Sequence, residues 1–257
     1  MSRKICLIIG ILFIAVPALA VPVLEVGIKT DSTYVPYTTQ GPDQDTAFAP
    51  TNPFNLAIGA TFGPNVTFLG GKYTSGSTTV DWSNVASSLT FLNGATGAVL
   101  VVSVPEGQIG GTNNISFSPL LTLKASRTGS LGSGFPNSHY PVGKENEFDF
   151  LYFDLGTAFA INTNGVVNFA KPSDIGNGEM RFFDTLISGY TYAHFDLLAI
   201  QIATVGAGKN ARNVPSLASS VDSHDVSYNP VPEPATMFLL GSGLIGLAGF
   251  ARRKFKR

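Results

Sequence analysis

The chain has 257 residues, with 16 Lys and Arg against 17 Asp and Glu and a formal net charge of −1. The cations are concentrated at the two ends, so residues 21–230 hold nine Lys and Arg and 16 Asp and Glu, a net charge of −7. Such an acidic body argues against nucleic-acid binding, which needs clustered cations to contact phosphates, and anionic lipid would repel it.

The N-terminus has the three parts of a secretory signal peptide. Two cations among the first four residues precede an apolar run, 5–16, and a proline then leads into the small residues Ala18 and Ala20. We therefore expect signal peptidase to remove residues 1–20, cutting after Ala20. The only cysteine, Cys6, leaves with this peptide, so the exported protein has neither disulfides nor thiolate metal ligands.

Within this body the ectodomain, residues 21–209, is predicted to be all-β. Thr, Val, Phe and Tyr are abundant, Gly and Pro interrupt the chain about every ten residues, and no window has a sustained helical period. Short strands at this spacing favour a jelly-roll-like β-sandwich ectodomain, with a partly open barrel as a variant. The predicted strands are 23–28, 54–61, 66–69, 89–92, 98–104, 115–117, 120–125, 147–155, 166–169, 179–187 and 192–202.

The connections between these strands differ in kind. A Gly-rich loop separates 89–92 from 98–104, which predicts a hairpin. Residues 31–52 and 124–145 exceed the roughly 12 residues that are usual for a connection in a compact domain, which indicates a functional or disordered loop. The stretch 210–230 is rich in Ser, Asn and Pro, and its composition predicts a stalk between the domain and a membrane.

Five polar residues late in the body are candidate metal ligands. In a strand His194 and Asp196 share one face, and His224 and Asp225, together with Asp222, arrive from a later loop. Imidazole and carboxylate together suit Zn²⁺ or a similar divalent ion. The alternative is structural: His194 hydrogen-bonds Asp196 or a neighbouring strand, and the later residues cap a turn. The structural role is the commoner one for such pairs.

Other patterns give weaker signals for a site. Asp43 and Asp45 alternate in a loop and could direct oxygens at Ca²⁺, although a solvated loop explains them better. The aromatic runs 148–153 and 190–195 could form a sugar-stacking face, but such alternation more often belongs to a sandwich core. The body has no G-x-S-x-G elbow, nucleophilic cysteine or phosphate-binding loop. We therefore expect no catalytic residue and no cofactor.

The last 27 residues, 231–257, have three parts in a fixed order. A Val-Pro-Glu-Pro sequence is followed by an uncharged apolar run, 235–251, and by a basic tail, 252–257. As a helix the apolar run would span about 25 Å, near the lower limit for a single transmembrane helix. The cations would stay in the cytoplasm and stop translocation, which leaves the body outside. The sorting sequence is Val231, Pro232, Glu233 and Pro234. The cations of the basic tail are Arg252, Arg253, Lys254, Lys256 and Arg257.

The order and the residues of these three parts resemble the PEP-CTERM sorting signal, which is also described as an ice-binding-protein C-terminal motif. The resemblance implies recognition by an exosortase, an integral membrane transpeptidase-like enzyme with a Cys nucleophile. Such an enzyme cuts near the Pro-Glu-Pro triplet and passes the ectodomain to the cell surface or extracellular matrix. Pro232 and Pro234 favour the extended backbone that a protease cleft can bind. The alternative is a plain single-pass anchor with a Pro-rich stalk.

The body also resembles, in short motifs, the choice-of-anchor N proteins, which place one kind of ectodomain ahead of interchangeable C-terminal anchors. The similar segments are 21–26, 104–107, 135–141, 188–196 and the stretch from 208–212 to 223–225. The resemblance implies a β-protein of the cell surface and brings no catalytic residues.

Two functions are therefore expected from different classes. The first is a non-enzymatic surface or matrix protein, held in the inner membrane by its C-terminal helix until an exosortase processes it. The second is a secreted protein that binds or acts on polysaccharide through a divalent-metal site. The expected partners are signal peptidase, exosortase, the inner membrane and, in the second case, an exopolysaccharide.

Overall fold

The computed structural model describes residues 23–38, 45–128, 141, 147–220 and 224–229, and these residues fold into β-strands joined by turns and short 3₁₀ helices. The strands are β1 Leu24–Lys29, β2 Thr46–Phe48, β3 Phe54–Thr61, β4 Val66–Gly70, β5 Tyr73–Ser75, β6 Thr78–Val80, β7 Val99–Pro105, β8 Asn114–Ser118, β9 Thr122–Thr128, β10 Phe148–Asp154, β11 Val166–Val167, β12 Ile175–Gly176, β13 Gly178–Ser188, β14 Ala193–Val205, β15 Arg212–Ser219 and β16 Asp225–Tyr228. The 3₁₀ helices are Trp82–Asn84, Ser87–Leu92 and Gly208–Asn210. The prediction of an all-β body is thus confirmed.

Two sheets face each other across the main core. The smaller sheet has the strand order β1-β3-β13-β8, and the larger has β2-β16-β14-β7-β10-β9, with β15 and β4 also paired to β14. Nearly all of these pairs are antiparallel, and β2 with β16 is parallel. This arrangement fits the predicted β-sandwich, while its jelly-roll form stays a prediction.

Strand alternation explains where the main core lies. In β7 the residues Leu100, Val102 and Val104 point between the sheets, and in β14 Phe195 and Leu197 do the same. The smaller sheet contributes the alternate residues of β1, β3, β8 and β13 to the same cluster. The inner faces of both sheets are therefore apolar, as a sandwich requires.

The larger sheet buries its second face as well. The other alternate residues of β7, β10 and β14 form a separate cluster with Trp82, Leu89 and Leu92. Trp82 begins a 3₁₀ helix that Asp81 caps, and Asn84 completes the reciprocal cap. The 3₁₀ helices Trp82–Asn84 and Ser87–Leu92 thus cover a sheet face that would otherwise expose aromatic side chains.

One predicted strand is wrong. Residues 89–92 belong to the 3₁₀ helix Ser87–Leu92, and β7 pairs instead with β10 and β14, so the predicted hairpin is absent. Leu89 and Leu92 are three residues apart, and a helix with three residues per turn places both on one buried side. The same spacing can be mistaken for a short apolar strand.

The predicted stalk, 210–230, also needs correction. Residues 212–219 and 225–228 are β15 and β16, and both pair with β14 in the larger sheet. Val226 is fully buried in the main core. Ser, Asn and Pro occur within these strands as well as in the connection between them, so composition alone does not distinguish the segment from a stalk. The folded domain therefore extends to the end of the described residues, beyond the predicted boundary at 209.

Several predicted segments lie outside the described residues. They are the signal peptide with Ala18 and Ala20, the sorting residues 231–234, the apolar run 235–251 and the basic residues 252–257. Among the described residues, no helix has the length and apolar character needed to cross a membrane.

Candidate functional site

Three of the predicted metal ligands meet on the second face of the larger sheet. Nε2 of His194 lies 3.3 Å from a carboxylate oxygen of Asp196 and 3.9 Å from one of Asp225. One ligand atom from each residue lies within 4.8 Å of the other two. All three side chains are buried at 0–1% exposure. We call His194, Asp196 and Asp225 the buried triad.

The strand geometry brings the triad together. His194 and Asp196 are two residues apart in β14 and so point to the same face. β16 pairs with β14 with Ser227 opposite His194, which places Asp225 on that face, one strand away. The sequence interpretation found all three residues but assigned Asp225 to a loop, whereas the structure shows it at the start of a strand.

The imidazole of His194 is fixed on its other side. Its Nδ1 lies 2.8 Å from Oγ of Ser227, and that hydroxyl lies 3.0 Å from the hydroxyl of Tyr192. When Nδ1 donates its proton to Ser227, Nε2 of a neutral ring presents a lone pair to the two carboxylates. Such an arrangement is repulsive unless a positive charge lies between them.

Two more buried hydroxyls flank the triad. Ser103 in β7 is directly opposite His194, and Thr46 in β2 is the register partner of Asp225. Both residues have 0% exposure, and neither hydroxyl oxygen has a hydrogen-bond partner among the described residues. A buried hydroxyl without a partner costs free energy, so these two groups indicate that a polar species belongs nearby.

His224, the fourth predicted ligand, lies at a different place. Its Nδ1 is 3.4 Å from a carboxylate oxygen of Glu25, and its ring stacks on Tyr37 with centroids 4.2 Å apart. Residues 224 and 225 are consecutive, so their side chains leave the chain on opposite sides. The four candidate ligands that the structure describes are thus split between two sites.

Glu25 is a buried acid that the sequence analysis did not select. Burial raises its pKa, and this effect outweighs the contact with His224 and the hydrogen bond from the Phe169 N–H, 3.1 Å away, which both lower it. Burial also raises the pKa of Tyr37 well above its usual value, and its hydroxyl donates to the Val26 carbonyl at 2.7 Å. The sequence does carry one signal for a buried Glu25, because this acid lies between the apolar residues Leu24 and Val26 of a predicted strand.

The aromatic runs are core rather than an exposed face. Phe148, Phe150 and Tyr152 pack in the second cluster, and Phe153 and Phe195 pack in the main core. A sugar could not stack on these rings without opening the sheets. The core interpretation of the two runs therefore agrees with the structure.

The possible Ca²⁺ loop remains a prediction. Asp45 is exposed and has a backbone φ of 70°, while Asp43 lies outside the described residues. Asp222, named with the metal ligands, also lies outside them.

The comparison with protein families adds one finding to this geometry. The model of the PEP-CTERM protein-sorting motif matches residues 230–254. The chain carries a PEP-CTERM motif. The PEP-CTERM motif indicates an exosortase-targeted extracellular protein whose membrane-anchored precursor is processed to the cell surface. The matched segment begins at residue 230, and one residue separates it from the end of β16 at Tyr228.

The rest of the chain is not assigned by comparison. The resemblance of the body to choice-of-anchor N proteins is not supported by the family comparison. No curated protein and no solved structure gave a significant match to the chain.

Proposed function

We propose that this is a non-enzymatic surface or extracellular-matrix protein that is exported, held in the inner membrane by residues 235–251, and released by an exosortase. The match of residues 230–254 to the PEP-CTERM motif carries the proposal. Signal peptidase acts first on residues 1–20, and the basic residues 252–257 stop translocation. The Pro-Glu-Pro triplet then lies at the outer membrane face, within reach of the processing enzyme.

The character of the folded domain supports a non-enzymatic role. The buried triad has 0–1% exposure, so a polysaccharide could not reach its polar atoms. The aromatic runs are also buried, which removes the proposed stacking face. A polysaccharide-binding function, the alternative, would need another surface. Binding of the purified protein to a glycan array would favour that alternative.

The sorting step can be tested in the native host by replacing Glu233. We expect Glu233→Gln to leave the membrane-held precursor intact, whereas the wild type loses its C-terminal tail. Intact-mass spectrometry of the protein in membrane and extracellular fractions gives both termini. Glu106→Gln is the matched control, because it makes the same chemical change in an exposed turn of the domain. An identical mature C-terminus in Glu233→Gln and wild type would overturn the proposal.

A further inference from the structure

We propose that Nε2 of His194 and the carboxylates of Asp196 and Asp225 bind one divalent transition-metal ion, such as Zn²⁺, which joins β14 to β16 inside the folded domain. The role is structural, since the three side chains are buried and no substrate could reach the ion. The proposal does not depend on the sorting function, and it concerns a region that residues 230–254 do not include.

The spacing of the triad suits such an ion. In a tetrahedral Zn²⁺ site with bonds of about 2.0–2.1 Å, neighbouring ligand atoms are about 3.3–3.4 Å apart. Nε2 of His194 lies 3.3 Å from the Asp196 oxygen and 3.9 Å from the Asp225 oxygen. The first distance matches that of neighbouring ligands in a tetrahedral site, and the second is about 0.5 Å longer. The three ligand atoms lie within 4.8 Å of one another, and binding of an ion would draw them closer together.

The charges of the triad also favour a divalent ion. Two carboxylates and a neutral imidazole carry a charge of −2, and protonation of His194 would reduce it only to −1. Two carboxylates buried side by side repel each other, and a cation between them relieves that repulsion. A divalent cation between the three groups brings the total to zero, which a proton on Nε2 does not.

The surroundings provide an outer shell around these ligands. Histidines that bind a metal through one nitrogen usually donate the other N–H to a fixed acceptor, and Ser227 is such an acceptor at 2.8 Å. Tyr192 holds the Ser227 hydroxyl in turn, at 3.0 Å. The unpartnered hydroxyls of Ser103 and Thr46 lie on the same face but on opposite sides of the triad, so each indicates its own polar neighbour beside the ligands.

Metal binding by the purified full chain tests the site. The chain, solubilised in detergent and treated with a chelator, is titrated with Zn²⁺ by calorimetry, and bound metal is counted by mass spectrometry. We expect one ion per chain and a melting temperature that rises to a plateau with Zn²⁺. Asp196→Asn and Asp225→Asn should each weaken binding by more than 100-fold. Ser227→Ala, which removes only the outer-shell acceptor, should weaken it by about 10–100-fold.

Asp149→Asn is the matched control. Asp149 is also fully buried in the larger sheet, but it accepts a hydrogen bond from the Gly107 N–H at 2.8 Å and is not part of the triad. This variant should bind Zn²⁺ as the wild type does. Binding that survives in both triad variants, or is lost equally in the control, would overturn the assignment.

A measurement on the wild type avoids any effect of substitution on folding. Long-range ¹H–¹⁵N spectra distinguish an imidazole with Nδ1 protonated and Nε2 bound to metal from an imidazolium that is protonated at both nitrogens. We expect the His194 signals to take the first form with Zn²⁺ present and to stay constant between pH 5.5 and 8. Signals that do not respond to Zn²⁺, or that show an imidazolium in its presence, would refute the site.

Discussion

Replacing Val226 by alanine tests whether the segment before the sorting motif belongs to the folded domain. Val226 lies in β16, is fully buried and packs in the main core. The substitution removes the equivalent of two methylene groups, worth about 0.8 kcal/mol each, or about 1.6 kcal/mol together. The cavity left behind adds to this loss, so we expect unfolding free energy to fall by about 1.6–2.5 kcal/mol. For a domain of this size the melting temperature should fall by about 3–10 °C.

Urea unfolding of the full chain, followed by tryptophan fluorescence from Trp82, measures the change. The midpoint should fall while the slope stays constant, because the same surface is exposed on unfolding. Val205→Ala is the matched control, since Val205 also lies in a strand but is 49% exposed, and it should cost at most about 0.5 kcal/mol. Equal effects of the two substitutions would mean that β16 does not pack in the core and that 210–230 is a stalk.

Three further changes test other parts of the fold. Burial raises the pKa of Glu25 from 4.5, so the native state binds a proton more readily than the unfolded chain. The contribution of Glu25 to stability should therefore fall as the pH rises above 4.5, and Glu25→Gln should remove that contribution to the pH profile. A Cβ at Gly178 would collide with the backbone oxygen of Ala60, so Gly178→Ala should cost about 1–3 kcal/mol in urea unfolding. Arg181 donates to backbone carbonyls in 155–158, and Arg181→Lys should cost about 1.5–3 kcal/mol by the same assay.

Each of these changes has a discriminating comparison. Burial would raise the pKa of Glu179, but hydrogen bonds from Arg181 and from the Ala160 N–H lower it, so Glu179→Gln should weaken the protein at neutral pH rather than in acid. Parallel pH profiles of the two Gln variants would contradict both assignments. Gly63→Ala meets only ordinary contacts and should be neutral, and a cost equal to that of Gly178→Ala would rule out the collision. An unchanged urea midpoint for Arg181→Lys would show that the hydrogen bonds from the guanidinium to these carbonyls do not contribute to stability.

The sequence predicted the long strands well and the short or polar elements poorly. In a segment such as 54–61 an apolar side chain at every second residue fixes both the position of the strand and the face that it turns to the main core. β15 was missed because it contains Pro215, which has no N–H to offer to a ladder, and because its apolar residues are adjacent, as in Leu217-Ala218, and do not alternate with polar ones. Long-range pairing with β14, not local preference, makes this segment a strand.

The candidate site was predicted in part for a similar reason. His194 and Asp196 share a face by alternation within one strand, so their proximity follows from the sequence. Whether Asp225 or His224 joins them depends on the register between β14 and β16, which no local pattern specifies. Glu25 was missed because its partners are distant in sequence: His224 is 199 positions further along the chain, and no local pattern indicates that contact.

The position of β16 has a mechanical consequence for a protein that is held by its C-terminus. Any pull on the anchoring tail enters the domain through this strand. β16 is hydrogen-bonded to β14 on one side and to β2 on the other, and the carbonyl just before it, at His224, accepts from Val26 of the smaller sheet at 2.8 Å. A force on the anchoring tail therefore acts on both sheets of the sandwich. It loads several strands together, so one strand does not detach alone from a sheet edge.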